Sequence, residues 1–133
     1  MKKVTKILHL FTLPVFLFFL LSWNVNAATF TALSCSLSDV QSAVNKAAEG
    51  DTVVIPSGSC RWSGEVTISK GITVQGAGTA TTITSAGSSL FTINGNGSGN
   101  YRISNMVFLG TSSGGTDIAV NGAWGSMRID HIV

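Results

Sequence analysis

Charged side chains are scarce in this chain. Asp, Glu, Lys and Arg make up 11% of its 133 residues, and it has only two cysteines, two histidines and two prolines. No basic run carries interleaved aromatics, which argues against a nucleic-acid partner. No uninterrupted apolar stretch reaches the roughly 20 residues that a membrane-spanning helix needs. Two cysteines without a neighbouring histidine are too few for a structural zinc site. Beyond residue 27 the one histidine is His131, so a Ser-His-Asp or Cys-His centre has a single residue to rest on.

The first residues read as an export leader. Lys2, Lys3 and Lys6 precede an apolar core over residues 7–21 that Pro14 interrupts. Val25 and Ala27 then offer the small or apolar side chains that suit a signal-peptidase cut after Ala27. A retained membrane anchor is the alternative, and the core is short for one. The chain divides accordingly into a signal peptide, residues 1–27, and one domain, residues 28–133. The product is expected to be secreted or periplasmic, with no membrane contact after cleavage. Beyond the leader, Lys46, Arg61, Lys70, Arg102 and Arg128 face the six acids Asp39, Glu49, Asp51, Glu65, Asp117 and Asp130, a net charge of −1. In an oxidising compartment Cys35 and Cys60 most simply form one disulfide. It would close a loop of about 25 residues, which the chain-entropy argument values at roughly 3 kcal/mol.

One amphipathic helix is predicted. Ser38 and Gln41 read as a capping box. Val40, Ala43, Val44, Ala47 and Ala48 form an apolar stripe at spacings of three and four, and Gly50 fits the stop. Val53-Val54-Ile55 follows as an unbroken apolar run between Asp51 and Pro56, the pattern of a strand buried on both faces of a parallel sheet. From there only short strands are predicted, at 53–55, 66–68, 72–75, 81–83, 90–93, 101–109, 118–120 and 127–133. Turn signals such as Gly76-Ala77-Gly78, Ser113-Gly114-Gly115 and Asn121-Gly122 separate them.

Such strands also suit a sandwich or barrel, but internal repetition favours another arrangement. Phe91-Thr92-Ile93-Asn94-Gly95 matches Ile118-Ala119-Val120-Asn121-Gly122 at an offset of 27. Arg102-Ile103-Ser104-Asn105-Met106-Val107 matches Arg128-Ile129-Asp130-His131-Ile132-Val133 at an offset of 26. Two consecutive segments matched in order predict a coiled parallel sheet, each turn of chain lying on the last at a separation of about 4.8 Å. Ile103 then stacks with Ile129 inside, and Asn94 with Asn121 at a corner, where the amides bond turn to turn. Thr67-Ile68 with Thr92-Ile93, and residues 72–76 with 101–106, extend the pattern less regularly.

With Ile103 and Ile129 inward, strand alternation sends Arg102, Ser104, Arg128 and Asp130 outward and sets Arg102 over Arg128. Two guanidinium groups one strand apart repel unless an anion lies between them. Asp130 can be that anion. The sharper reading is a binding patch for a uronate carboxylate, which Arg forks match. Trp62 and Trp124 read either as flat platforms for a sugar ring or as covers for a loop. His131 stands where the previous repeat has Asn105 and reads as a polar corner. Asp117 and Asp130 are half a repeat apart, which argues against a paired-carboxylate glycosidase. Turn formation and solvent account for Asp51 and Glu65. Asn96-Gly97-Ser98 spells a glycosylation acceptor. These residues single out no catalytic group and no set of metal ligands.

The series Asp39-Val40-Gln41-Ser42-Ala43-Val44, Gly50-Asp51-Thr52-Val53-Val54-Ile55-Pro56-Ser57-Gly58, Val66-Thr67-Ile68 and Gly71-Ile72-Thr73-Val74-Gln75-Gly76-Ala77-Gly78 resembles the N-terminal turns of the pectate-lyase-like superfamily. The resemblance covers residues 39–133. It implies an all-β fold, a right-handed single-stranded parallel β-helix with an N-terminal capping α-helix. Members of that superfamily usually run to many more turns. The chain ends inside a strand pattern at His131-Ile132-Val133, so residues 28–133 read as the N-terminal part of such a domain, truncated at the C-terminus. The resemblance further implies an exported carbohydrate-active protein related to polyuronate (pectate-type) lyases, with polysaccharide as partner and Ca²⁺ as cofactor if it is such a lyase. Non-catalytic proteins share the same opening, so the alternative is a surface β-helix for adhesion or glycan binding.

Overall fold

The computed structural model of the protein describes residues 26–87, 89–110 and 116–133. Most of the expected leader, and the turn expected at residues 113–115, lie outside them. The described chain is mostly strand, with one α-helix. After β1 (Thr29–Thr31) and α1 (Leu37–Lys46) it visits three parallel sheets in rotation. The first circuit is β2 (Thr52–Val54), β3 (Gly58–Trp62) and β4 (Val66–Ile68). The second is β5 (Thr73–Gln75), β6 (Thr81–Ser85) and β7 (Phe91–Asn96). The third is β8 (Asn100–Leu109), whose two halves serve two sheets, and β9 (Ile118–Ala123); β10 (Ser126–Ile132) then returns to the first sheet.

The repeat sets the register. β7 and β9 pair with Phe91 opposite Ile118 and Gly95 opposite Gly122, as the offset of 27 requires. β8 and β10 pair with Arg102 opposite Arg128 and Ile103 opposite Ile129. The less regular matches also hold: Thr67 pairs with Thr92, and Thr73 to Gln75 pair with Arg102 to Ser104. Val53, Val74 and Ile103 form one buried column, and Val66 with Phe91 and Ile68 with Ile93 form two more. Each such side chain contributes about 1.5–3 kcal/mol by leaving water. Ile129 continues the first column and is 46% exposed. Asn121 Nδ2 donates to Asn94 Oδ1 at 3.3 Å, the expected corner contact.

A different device covers the first edge of each sheet. β1 pairs with β2 in the first sheet. The segment carrying Cys35 lies against β3 in the second: Cys35 and Cys60 form the disulfide, with 5.8 Å between Cα atoms. The approach is close enough that a Cβ on Gly58 would stand 2.7 Å from Cys35 Sγ. In the third sheet a side chain does the work. Gln41 accepts from Thr67 N at 2.8 Å and donates to Thr67 O at 3.1 Å, so its amide stands where a neighbouring strand would. α1 buries Val40, Ala43 and Val44 above the first circuit.

Three expectations change. The N-cap is Ser36, not Ser38: the Ser36 hydroxyl accepts from Asp39 N at 3.3 Å, while Gln41 is drawn to Thr67. Residues 58–62, read as a turn, form β3, because β6 supplies a parallel partner from Gly58 opposite Thr81 to Trp62 opposite Ser85. Trp62 is a core residue and no sugar platform. It is 1% exposed, donates from Nε1 to Cys35 O at 2.8 Å, and meets Phe91 edge-on with ring centroids 5.3 Å apart.

Candidate functional site

The outer face of the first sheet carries the cluster expected from the repeat. Parallel register places Arg102 on β8 directly opposite Arg128 on β10, with Asp130 opposite Ser104 two positions on. Asp130 lies diagonally across from Arg102 and receives a fork from it. Arg102 Nε and Nη2 donate to Oδ1 at 3.2 and 3.1 Å, and Nη2 also donates to Oδ2 at 3.1 Å. Arg128 approaches Oδ2 through Nε. His131 Nδ1 stands 3.7 Å from Oδ1.

Burial pushes the Asp130 carboxyl up, but the hydrogen bond and charge of Arg102, the charge of Arg128 and the His131 contact outweigh it. Together they hold the group below its ordinary value of 3.8. Asp130 is therefore ionised at neutral pH, and two cations share one anion. An Arg side chain carries five N–H donors in a planar fork. Arg128 commits Nε to Asp130, and its side chain is 68% exposed. Ser104, expected to point outward, lies opposite Asp130 and is fully buried, and its Oγ has no hydrogen-bond partner among the described residues.

Trp124 lies between β9 and β10, and the residue is 42% exposed. Among the described residues no hydrogen bond or ring contact links it to the Arg–Asp cluster. Asp117 belongs to the connection before β9, where its carbonyl accepts from Leu90 and Phe91 N. It is thus on another sheet from Asp130, as its half-repeat spacing implies. Asn105 and His131 are matched corner residues, both with positive φ.

Two features escaped the sequence. Asp51 is not a solvated turn residue: it is 5% exposed and accepts from Ala28 N and Ala48 N, each at 2.7 Å. Those two bonds outweigh the effect of burial, the Lys70 charge adds to them, and the carboxyl is held below 3.8. The other is a polar groove of about 480 Å³ between the helix C-terminus and the β7–β8 turn. There Glu49 Oε2 accepts from Gly71 N at 2.7 Å and Oε1 from Asn96 Nδ2. Asn96 Oδ1 also accepts from Ser98 and Gly99 N. The amide of the glycosylation signal therefore already braces this turn. Residues 110–114 also spell Gly-x-Ser-x-Gly, in the connection after β8, and 111–115 lie outside the described residues.

Among the described residues no group of three or more His, Cys, Asp or Glu side chains converges on a point that could hold a metal ion. They do not fit a Ca²⁺ centre. Among them no helix is long and apolar enough to cross a membrane. Comparison with known protein families, with curated proteins and with solved structures found no match.

Proposed function

We propose that the three sheets are the opening turns of a right-handed parallel β-helix closed at one end by α1. In this reading the chain is an exported carbohydrate-active protein that binds acidic polysaccharide and is related to polyuronate lyases. The rotation of the chain through three parallel sheets, with one register per repeat, supports the coil. The right hand rests on the strong preference of parallel crossovers. The Cys35–Cys60 disulfide supports export to an oxidising compartment.

The observation that carries the ligand class is the stacked pair Arg102 and Arg128 over one carboxylate. The cluster keeps one net positive charge, and the exposed Arg128 guanidinium suits capture of a carboxylate. Uronate units present such a carboxylate at every residue of a chain. Trp124 offers an apolar face for a pyranose ring. An arginine edge and an exposed indole suffice to hold a glycan without chemistry, which favours a non-catalytic surface β-helix as the second reading.

Affinity electrophoresis in polygalacturonate tests the ligand class. Retardation by polygalacturonate and none by neutral galactan is expected, with Arg128→Ala abolishing most of it. Equal mobility in both gels sinks the proposal. Absorbance from unsaturated product, followed with and without Ca²⁺, separates the lyase from the non-catalytic reading.

A further inference from the structure

Two independent observations meet at Ala28. The leader pattern places a signal-peptidase cut after Ala27. Among the described residues Ala28 is the first whose polar backbone atoms are both tied to the body. Its N–H donates to Asp51 Oδ1 at 2.7 Å, and its carbonyl accepts from Thr52 N at 2.8 Å. Asn26, Ala27 and Ala28 itself are all exposed. The acceptor is a buried carboxylate, and in the uncut chain the donor is a neutral amide.

We propose that processing turns this hydrogen bond into an ion pair, the new α-ammonium of Ala28 seated on Asp51, so that removal of the leader completes the N-terminal closure of the fold. Hydrolysis breaks the Ala27–Ala28 bond. Water gives hydroxyl to the Ala27 carbonyl carbon, which leaves as a carboxylate, and hydrogen to the Ala28 nitrogen, which takes one further proton from solvent. The nitrogen then has three N–H donors and a full charge where it had one donor and none. The carboxylate already makes the uncut bond charge-assisted, and the ammonium adds the direct attraction of opposite charges. The same lock holds β1 on β2 and, through the second oxygen of Asp51, the end of α1.

The charged groups around it are few. Lys70 acts on Asp51 from the turn before β5 and donates to the helix carbonyls of Asn45 and Ala47. Glu49 is occupied by Gly71 and Asn96. Asp39 and Lys46 line the pocket between α1 and β1. An amine that gains an anionic partner has its folded value raised. Its contribution is full below the ordinary α-amine range of about 7.7–8.0 and is lost as pH rises through the folded value.

The proposal rests on the leader reading, and two measurements on the exported protein keep them apart. N-terminal sequencing gives the cut. Titration of the Ala28 amine by NMR gives the pair: a value at least about one unit above the ordinary range is expected, returning to that range in Asp51→Asn. An N-terminus other than Ala28 overturns both. An N-terminus at Ala28 with an ordinary amine keeps the cut and overturns the pair. If Asp51→Asn does not fold, the wild-type titration decides alone.

Discussion

Asn105 and His131 hold the same corner of successive circuits, and both do so with positive φ, 59° and 53°. Their neighbours Ser104 and Asp130, and Met106 and Ile132, stay in register on either side. Gly76, which donates to Ser104 O at 3.0 Å, stands at this corner one circuit earlier without positive φ, and a Cβ there would meet Asn105 O at 2.5 Å. Left-handed backbone is tolerated by Gly and Asn and resisted by β-branched residues. Asn105→Gly is therefore expected to leave the urea midpoint nearly unchanged, whereas Asn105→Val costs about 1–2 kcal/mol. Equilibrium unfolding of the two variants checks it.

Reduction of the disulfide should destabilise the fold without rearranging it. The bridge spans 25 residues, and a loop of that size corresponds to roughly 3 kcal/mol of lost chain freedom in the unfolded state. The Cys35→Ser/Cys60→Ser variant should unfold at lower urea with the same circular dichroism at zero urea. A free-thiol count near zero on unfolded, unreduced protein is the companion result.

Acid should weaken the Arg–Asp cluster in a defined direction. Asp130 is held below 3.8 in the folded chain, so its contribution is complete above that value and is lost as pH falls through the lower folded one. Asp130→Asn leaves Arg102 and Arg128 facing each other without their shared anion. The variant is expected to be less stable than wild type at pH 7. The gap should narrow as pH falls below 3.8, read from urea midpoints across the range.

The two tryptophans of the domain should separate cleanly. Trp62→Ala empties a fully buried site and should cost about 3–5 kcal/mol. Trp124→Ala should change stability little. In the Trp62→Phe variant the remaining emission comes from an exposed indole. A change of that emission on adding polygalacturonate, lost in Arg128→Ala, would place the glycan on the same face as the arginine.

The parts of this architecture that repeat were legible in the sequence. Ile-Asn-Gly answered by Val-Asn-Gly, and Arg-Ile answered by Arg-Ile, become strand partners because parallel circuits put equal positions side by side. The Arg102–Arg128–Asp130 cluster follows from the same rule. What was missed depends on partners that no local pattern announces. β3 reads as a turn until β6 pairs with it. Asp51 looks like a loop acid because its ligands are backbone amides of Ala28 and Ala48. Ser34, Ser36 and Ser38 alternate, and only contact with Asp39 selects Ser36 as the cap. Trp62 is claimed by the Cys35 carbonyl, a partner 27 residues away.

The amide of Gln41 has a consequence for misassembly. An unpaired strand edge is a template for any extended segment, from another molecule as readily as from its own. With Thr67 already satisfied in both directions, β4 offers an intruding strand no free donor or acceptor at that residue. Foreign strands are therefore refused at the helix-covered end of the third sheet, at Thr67. Gln41→Glu keeps the acceptor and loses the donor, which would leave that end half open.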